Sequence, residues 1–307
     1  MTRILLLFMD GIGLGADDPV CNPFAACEMP ALETLLGNQK FVLKTAPFKG
    51  DEATLLAVDP TLDLPGTPQS ASGQAALLTG RNVPQEIGEH YGPKPNPPIQ
   101  QILHEGNIFS TVTQLGGKAA LLNAYPPQYF EAIERGHRLY SAIPLAMTAA
   151  GLPLMTAEDL QAGRALSVDF TGEGWAARPE FPPVPIYSPS EAGTKLAQLA
   201  ARYDLAWFDF WPSDYAGHRQ DMNSAIDLLE TFDVVLSGLL QAREGEHDLV
   251  VLTSDHGNME DLSQRGHTRN PVPALLIGSE ELRDRFAVGL ENLTHFVPAI
   301  RRMLFSS

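Results

Sequence analysis

Short runs of consecutive apolar residues alternate along the chain with segments in which apolar residues recur at helical spacing. The run ILLLFM at residues 4–9 is bounded by the turn signal DGIGLG, and it predicts a strand that is buried on both faces. Apolar residues within Met222–Leu240 fall on one helical stripe, which predicts a long amphipathic helix. Because strands alternate with helices, the pattern indicates an α/β fold, a mostly parallel sheet with helices on both faces.

The same criteria assign most of the remaining chain. Residues 81–98 form a proline-rich connector, and residues 169–183 are predicted to be a loop. Further strands are predicted at KAALLNAY (118–125), DLAWFDFW (204–211), HDLVVLT (247–253) and VPALLIG (272–278). Further helices are predicted at MPALETLLG (29–37), Ala75–Leu78, IQQILHEG (99–106), SAIPLAMTAAG (141–151), SEAGTKLAQLAARY (190–203) and LTHFVPAIRRML (293–304).

Length and charge narrow the classes of function. The 307 residues, 44% of them hydrophobic, predict one large α/β domain over residues 1–307. A formal net charge of −16 argues against nucleic acid as a partner, because phosphate backbones are bound by basic surfaces. A small phosphorylated substrate is compatible with this charge, since a bound divalent cation reverses the local field. No apolar stretch is long enough for a bilayer, so no membrane partner is expected, and the oligomeric state is left open.

The cysteines and the first residues indicate a cytoplasmic protein. Cys21 and Cys27 are too few for a disulfide framework, so reduced thiols are expected. The apolar run at residues 4–9 is shorter than the hydrophobic region of a signal peptide, and no small-residue cleavage site follows it. A first strand that ends at Asp10 is therefore the better interpretation.

Carboxylates and imidazoles follow three of the predicted strands. Ligands of open parallel sheets bind at the carboxyl ends of the strands, so these side chains are expected to lie close together. The set suits divalent ions, and six ligands suit two ions roughly 4 Å apart, the arrangement used for phosphoryl transfer. The candidate metal ligands are Asp10, Asp214, His218, Asp255, His256 and His267.

Each of these residues also has an ordinary interpretation. A turn cap explains Asp10, a helix N-cap explains Asp214, and a surface position explains His267. A partly buried helix residue explains His218, and a turn with Gly257 explains the Asp-His pair. All of these ordinary interpretations would have to be correct at the same time. They also leave unexplained why the candidate ligands repeatedly lie at strand ends.

Four motifs in order, DGIGLG, DYAGH, TSDHGNMED and GHTRNPVPALLIG, resemble the alkaline phosphatase superfamily of metalloenzymes. They are most similar to its cofactor-independent phosphoglycerate mutase branch, over residues 4–81 and about 186–305. The resemblance implies an alkaline-phosphatase-like fold and two divalent ions, Mn²⁺ or Zn²⁺. It implies one site formed by Asp10, Ser70, Asp255 and His256, and a second site formed by Asp214, His218 and His267.

The resemblance also implies a serine nucleophile within PQSASGQAALLTGR. By offset this residue is Ser70, with Ser72 and Thr67 as rivals. A serine at a helix N-terminus also places the amide dipole on a phosphate. Gln69 and Gln74 stand where the family has asparagine and histidine. Arg81 and Arg269 are candidate phosphate contacts, although a surface ion pair explains Arg81 equally well.

The function implied is two-metal phosphoryl transfer through a phosphoserine, on a small phosphorylated metabolite. A phosphomonoester hydrolase is favoured, because residues 82–185, the expected lid and substrate-recognition insertion, are about half the usual length. The alternatives are a phosphomutase resembling phosphoglycerate mutase and a non-catalytic metal-binding descendant. A sulfatase or a serine hydrolase is disfavoured because their nucleophile signatures are absent around Ser70.

Residues of the middle segment are candidates for substrate recognition. Aromatic and basic side chains near a metal site suit a phosphorylated sugar or nucleotide, while packing and surface charge explain them equally well. The candidates are Tyr125, Tyr129, Arg135, His137, Arg138 and Asp169.

Overall fold

A computed structural model of the chain describes residues 2–243, 245 and 247–305. In this described part, seven strands form one sheet in the order β2-β3-β9-β8-β1-β7-β4, and β5 and β6 form a separate pair. The strands are β1 (Arg3–Met9), β2 (Phe48–Lys49), β3 (Ala53–Val58), β4 (Ala119–Leu121), β5 (Ala124–Tyr125), β6 (Met155–Thr156), β7 (Leu205–Phe210), β8 (Asp248–Thr253) and β9 (Val272–Ile277).

The helices cover both faces of the sheet. They are α1 (Pro23–Ala26), α2 (Pro30–Leu35), α3 (Ser70–Thr79), α4 (Val83–Ile87), α5 (Pro97–Glu105), α6 (Ile108–Gln114), α7 (Pro127–Glu134), α8 (Ala142–Ala149), α9 (Ala157–Gln161), α10 (Glu173–Ala176), α11 (Pro189–Ala200), α12 (Pro212–Arg219), α13 (Met222–Ala242), α14 (Glu280–Ala287) and α15 (Phe296–Phe305). Short 3₁₀ turns occur at Leu43–Thr45 and Leu293–His295. Among the described residues, no helix has the length and apolar character needed to span a bilayer.

The mostly parallel sheet predicted from the sequence is confirmed. Strand β1 lies between β7 and β8 and is parallel to both, and β4 is parallel to β7. Strand β9 is antiparallel to β8 and to β3, a direction that its uniformly apolar sequence does not encode. The parallel order β8-β1-β7 brings three carboxyl ends together at one edge.

Strand β1 is buried on both faces, which explains its unbroken apolar run. Ile4, Leu6 and Phe8 belong to one hydrophobic cluster, while Leu5 and Leu7 belong to a second cluster on the opposite face. Alternate side chains of a strand point to opposite faces, so a strand between two helical layers needs apolar residues at every position.

The predicted strand KAALLNAY is two strands in the structure. The main sheet keeps only β4, and the chain leaves it at Asn123, whose side chain donates to the Asp209 carbonyl at 2.8 Å and accepts from the Asp209 amide at 2.8 Å. The side-chain amide thus takes the place of a backbone partner beside β7, and the following residues pair with β6 instead. Strands β2 and β3 and helices α6, α7 and α14 were not predicted from the sequence pattern.

The segment at residues 82–185 is partly core. Ile99, Phe109 and Ile143 from three of its helices pack in the same cluster as β1. A small separate cluster contains Ala124, Ala157, Leu160, Ala165 and Trp175. Part of the segment therefore supports the sheet, and the role of the segment as a lid stays a prediction.

Candidate active site

The predicted ligands meet at the carboxyl edge formed by β8, β1 and β7. Asp10 follows β1 directly, and its amide donates to the Phe210 carbonyl at 3.2 Å. Asp214 lies in the first turn of α12, just after β7. Asp255 and His256 follow β8 and are both fully buried. The order of the strands, with β1 in the centre, thus places all four side chains around one point.

The first cluster contains Asp10, Asp255 and His256, whose ligand atoms all lie within 4.8 Å of one another. His256 Nε2 is 3.4 Å from Asp10 Oδ1 and 3.6 Å from Asp255 Oδ2. Ser70 Oγ lies 3.0 Å from the same nitrogen. The four residues that the resemblance assigns to one ion are therefore together.

The second cluster contains Asp214, His218 and His267. His218 Nε2 lies 3.3 Å from Asp214 Oδ2, and His267 Nε2 lies 3.3 Å from His218 Nε2 and 3.6 Å from Asp214 Oδ1. His267 Nδ1 is 2.9 Å from the Pro68 carbonyl, which accepts its proton and leaves Nε2 free to bind a metal. The rings of His267 and His256 stack with centroids 3.7 Å apart, so the two clusters adjoin.

The electrostatics of the first cluster fit a bound cation. Burial, followed by repulsion from Asp255, raises the pKa of Asp10 well above its usual value, and Asp10 Oδ1 has no hydrogen-bond partner among the described residues. Burial raises the pKa of Asp255 to about 6 and lowers the pKa of His256 to about 3, so the imidazole is neutral. Buried carboxylates that repel each other, beside a neutral imidazole, are stabilised by a divalent ion.

Ser70 is the first residue of α3, and the structure separates it from its two rivals. Ser72 Oγ accepts from the Tyr91 amide at 3.0 Å and donates to the Gln69 carbonyl at 3.3 Å, so its hydroxyl is used within the fold. Thr67 lines a different pocket, beside Gln69. Among these three hydroxyls, only that of Ser70 contacts a candidate metal ligand.

Gln74 explains one departure from the family's motif. It lies one helical turn after Ser70, and residues four apart share a helix face. Its Nε2 donates to Asp10 Oδ2 at 3.2 Å and to Asp255 Oδ2 at 3.0 Å. The amide therefore positions both carboxylates of the first cluster, a role that the sequence alone did not assign.

Glu260 ties three of the motifs together, and sequence reasoning missed it. This side chain is 1% exposed, and its Oε2 accepts from the amides of Gly13 at 2.9 Å and Asn258 at 2.7 Å. Its Oε1 accepts from Thr268 Oγ1 and from Asn270 Nδ2 at 3.0 Å. One buried carboxylate thus connects DGIGLG, TSDHGNMED and GHTRNPVP, and its polar sequence surroundings gave no signal for this burial.

Asn258 and Gly217 form the connection between TSDHGNMED and DYAGH. Asn258 Nδ2 donates to Asp214 Oδ1 at 2.7 Å. A Cβ atom at Gly217 would lie only 2.6 Å from the Asn258 Cγ atom, so the glycine permits this close approach. The glycine of the D-x-x-G-H motif is therefore required because the Asn258 side chain, which bonds Asp214 of the second cluster, packs against it.

A cavity of about 190 Å³ lies directly in front of Ser70. Two charged residues that the sequence did not single out line it, Asp209 and Lys94. Burial raises the pKa of Asp209 to about 7, and burial lowers the pKa of Lys94. A carboxylate within the buried strand LAWFDF was a usable signal, since aspartate is seldom buried without a partner. Lys94, within a proline-rich connector, offered none.

The two predicted phosphate contacts lie elsewhere. Arg81 bonds Glu86, and its Nη1 donates to Glu105 at 2.6 Å, so it is the surface ion-pair partner. Arg269 donates to the Gly66 carbonyl. Neither arginine lines the cavity at Ser70.

The middle-segment candidates divide into three groups. Tyr125, Tyr129 and Arg138 line the cavity at Ser70. Arg135 is exposed and lies 3.5 Å from Glu131, and His137 is also exposed. Asp169 accepts from the amides of Gly172 at 3.1 Å and Gly174 at 2.6 Å, so it shapes the loop before α10.

Part of the chain is similar to known families. Residues 189–300 match the Metalloenzyme superfamily. Over 103 residues the chain is 33% identical to a 2,3-bisphosphoglycerate-independent phosphoglycerate mutase of Rhodopseudomonas palustris, covering 31% of this chain and 20% of that protein. Over 117 residues it is 28% identical to the mutase of that name from Methylobacillus flagellatus, covering 36% of this chain and 22% of that protein. The aligned region thus spans about a fifth of the length of these curated relatives.

Solved structures share the fold over the whole chain. A Pyrococcus horikoshii protein has a TM-score of 0.59 at 15% identity, covering 100% of this chain and 97% of that chain. Leishmania mexicana phosphoglycerate mutase has a TM-score of 0.50 at 13% identity, with coverages of 100% and 96%. Alkaline phosphatase from the Antarctic bacterium TAB5 has a TM-score of 0.50 at 14% identity, with coverages of 99% and 98%. The predicted alkaline-phosphatase-like fold and the family resemblance are confirmed.

Proposed function

We propose that this chain, whose residues 189–300 match the Metalloenzyme superfamily, is a two-metal phosphoryl-transfer enzyme. More specifically, it is a phosphomonoester hydrolase that acts on a small phosphorylated metabolite through a phosphoserine at Ser70. One observation carries this proposal. Ser70 Oγ lies 3.0 Å from His256 Nε2, at the point where the two clusters of carboxylates and imidazoles adjoin.

The residues of the two clusters fit two ions. Asp10, Ser70, Asp255 and His256 would hold one, and the second cluster, centred on Asp214, would hold the other. A pair of divalent ions, Mn²⁺ or Zn²⁺, would lower the pKa of the serine hydroxyl and polarise the phosphoryl oxygens. The mixture of aspartate and histidine suits both metals.

The chain's own groups then perform the transfer. Ser70 Oγ attacks phosphorus, so the Oγ–P bond forms while the bond from phosphorus to the leaving oxygen breaks, and the proton lost by the Ser70 hydroxyl is taken up by that oxygen. The N-terminal turn of α3 directs its amide dipole toward the phosphoryl group. Water then attacks the phosphoserine, the P–Oγ bond breaks, and Ser70 recovers its proton. Inorganic phosphate is released.

Hydrolysis is favoured over phosphoryl return to the substrate. A mutase must exclude water while its substrate reorients. Helices α5, α6 and α8 of residues 82–185 pack in the core, and Tyr215 at the rim of the Ser70 cavity is 60% exposed. Both observations support access of water to the phosphoserine. Conversion of 3-phosphoglycerate to 2-phosphoglycerate without phosphate release would instead establish the mutase.

Metal content is the direct test of the two-metal site. Chelation is expected to abolish hydrolysis of an aryl phosphate, and reconstitution with Mn²⁺ or Zn²⁺ is expected to restore it with about two ions per chain. Asp214→Ala removes a ligand of the second site alone, so its content should fall to about one ion. Asp227→Ala, at an exposed position of α13, is the matched control and should keep both. Less than one ion per wild-type chain would contradict the site, and two ions without any hydrolysis would favour a non-catalytic descendant.

Lys94 is expected to be the cation that contacts the substrate. Lys94→Gln should lower kcat/KM roughly tenfold to a hundredfold, the usual loss of one charged hydrogen bond. Arg81→Gln is the control, and steady-state kinetics should give a kcat/KM within about twofold of wild type, because exposed ion pairs contribute little. A loss in Arg81→Gln but not in Lys94→Gln would reverse the assignment.

A reducing compartment such as the cytoplasm suits the protein. Cys21 and Cys27 are both free thiols. Burial raises the pKa of Cys27 to about 12, so that thiol is unreactive.

A further inference from the structure

The cavity at Ser70 adjoins a larger one. The second cavity has a volume of about 550 Å³ and is formed mainly by the chain between β5 and Phe181. The two cavities share four lining residues, Tyr125, Tyr129, Arg138 and Trp211. A molecule whose phosphoryl group lies at Ser70 therefore has space to continue past these aromatic side chains.

The wall of the cavity at Ser70 contains buried polar atoms without partners in the described structure, two of them on tyrosines that also line the larger cavity. The hydroxyls of Tyr125 and Tyr129 and the Oδ1 atom of Asp209 have no hydrogen-bond partner among the described residues. The three side chains are 4%, 7% and 5% exposed, respectively. A buried polar atom without a partner costs free energy, so such atoms at a cavity wall point to hydrogen bonds with a ligand. Two hydroxyls and a carboxylate oxygen match a ligand that carries several hydroxyl groups.

Two cations lie at the same junction. The Arg138 guanidinium is 4.7 Å from the centre of the Tyr129 ring, and Lys94 is half-buried nearby. In the described part of the chain, neither side chain forms an ion pair. Trp211, also half-buried, adds an aromatic surface of the kind on which sugar rings and nucleobases stack.

We propose that the joined cavities recognise a phosphorylated sugar, free or as part of a nucleotide, with the sugar hydroxyls bound by Tyr125, Tyr129 and Asp209. This inference rests on the proposed function and names its substrate class. The phosphoryl group lies at Ser70, the sugar ring lies between the tyrosines and Trp211, and any further group extends into the larger cavity. A three-carbon phosphate would leave most of these polar atoms unpaired.

Binding to the metal-loaded Ser70→Ala protein tests the inference without turnover. Calorimetry is expected to give a dissociation constant for ribose 5-phosphate at least about fivefold below that for glycerol 3-phosphate. Tyr125→Phe and Asp209→Asn, each added to Ser70→Ala, should reduce this preference to below about twofold. Arg135→Gln, an exposed residue outside both cavities, is the control and should leave the preference intact.

A third ligand distinguishes the two forms of the sugar. If the larger cavity holds a nucleobase, adenosine 5′-monophosphate should bind more tightly than ribose 5-phosphate, and Trp211→Leu should remove that gain. If the free sugar phosphate is the ligand, the nucleotide should bind no more tightly.

The outcomes separate this inference from the proposed function. Equal dissociation constants for ribose 5-phosphate and glycerol 3-phosphate would overturn the inference, as would a preference that survives both Tyr125→Phe and Asp209→Asn, or failure of all three ligands to bind. The proposed function is tested independently, by phosphoserine formation and aryl phosphate hydrolysis in the wild-type protein. A hydrolase without sugar preference would therefore retain the proposed function and lose this inference.

Discussion

Replacing Ser70 with alanine is expected to lower kcat/KM for an aryl phosphate by roughly 10³-fold or more, because removal of a nucleophile eliminates the covalent path. The fold should be unaffected, since within the described ranges the hydroxyl has one hydrogen-bond partner, His256 Nε2 at 3.0 Å. Mass spectrometry of acid-quenched wild-type enzyme should find one phosphate on the peptide containing Ser70. The alanine variant should show none.

The neighbouring serine provides a matched control. Ser72→Ala changes the same helical turn, but the Ser72 hydroxyl bonds the backbone of Tyr91 and Gln69. It is expected to lose some stability, about 1 kcal/mol, while keeping most of its kcat. Full activity in Ser70→Ala, or phosphate found on Ser72 or Thr67, would refute the assignment of the nucleophile.

Replacing Glu260 with alanine is expected to lower the free energy of unfolding by about 3–5 kcal/mol and to reduce metal content in the folded fraction. The side chain accepts from two backbone amides, those of Gly13 and Asn258, and from the side chains of Thr268 and Asn270. Its loss leaves these donors without a partner around a side chain that is 1% exposed. It also releases the loops that carry the metal ligands, so binding weakens although no ligand is changed.

Urea denaturation and metal analysis measure the two effects. Glu260→Gln keeps the shape and one acceptor oxygen of the side chain, but its amide group faces two donors. Its free energy of unfolding is therefore expected to lie between those of the wild type and Glu260→Ala. Asp261→Ala, at the next position, removes a carboxylate that bonds Ser263 and Gln264 at the surface. Asp261→Ala should lower the free energy of unfolding by less than about 1 kcal/mol. An equal decrease in the free energy of unfolding for Glu260→Ala and Asp261→Ala would show that Glu260 does not connect the motifs.

The pairing of Asp255 with His256 shows what a local pattern contains. An apolar run followed at once by two metal-binding residues predicts a buried strand and a site at its end, and β8 carries both features. Asp10 after β1 follows the same logic. The strand predictions succeed because strand burial depends on neighbouring residues along the chain, whereas the metal site stays a prediction.

The same local pattern gave no role to the residues that position the ligands. Gln74 was noted only as a departure from a motif, yet it bonds Asp10 and Asp255. Glu260 was part of a quoted motif without a function. Arg81 was proposed as a phosphate contact and instead pairs at the surface, whereas Lys94 lines the cavity. These roles depend on contacts between segments far apart in sequence.

The sequence by itself determined the α/β architecture and the residues at the strand ends, and its resemblance to a family led to the proposal of Ser70 as the nucleophile. These features follow from hydrophobic periodicity and from short motifs, which are properties of neighbouring residues. Only the tertiary structure decided that β1 lies between β7 and β8, that His256 and His267 stack, and that Asp209, Lys94 and the tyrosines share one cavity. Those arrangements result from packing of the two hydrophobic layers on the sheet, where strand order and direction are set by long-range contacts rather than by the composition of any one strand.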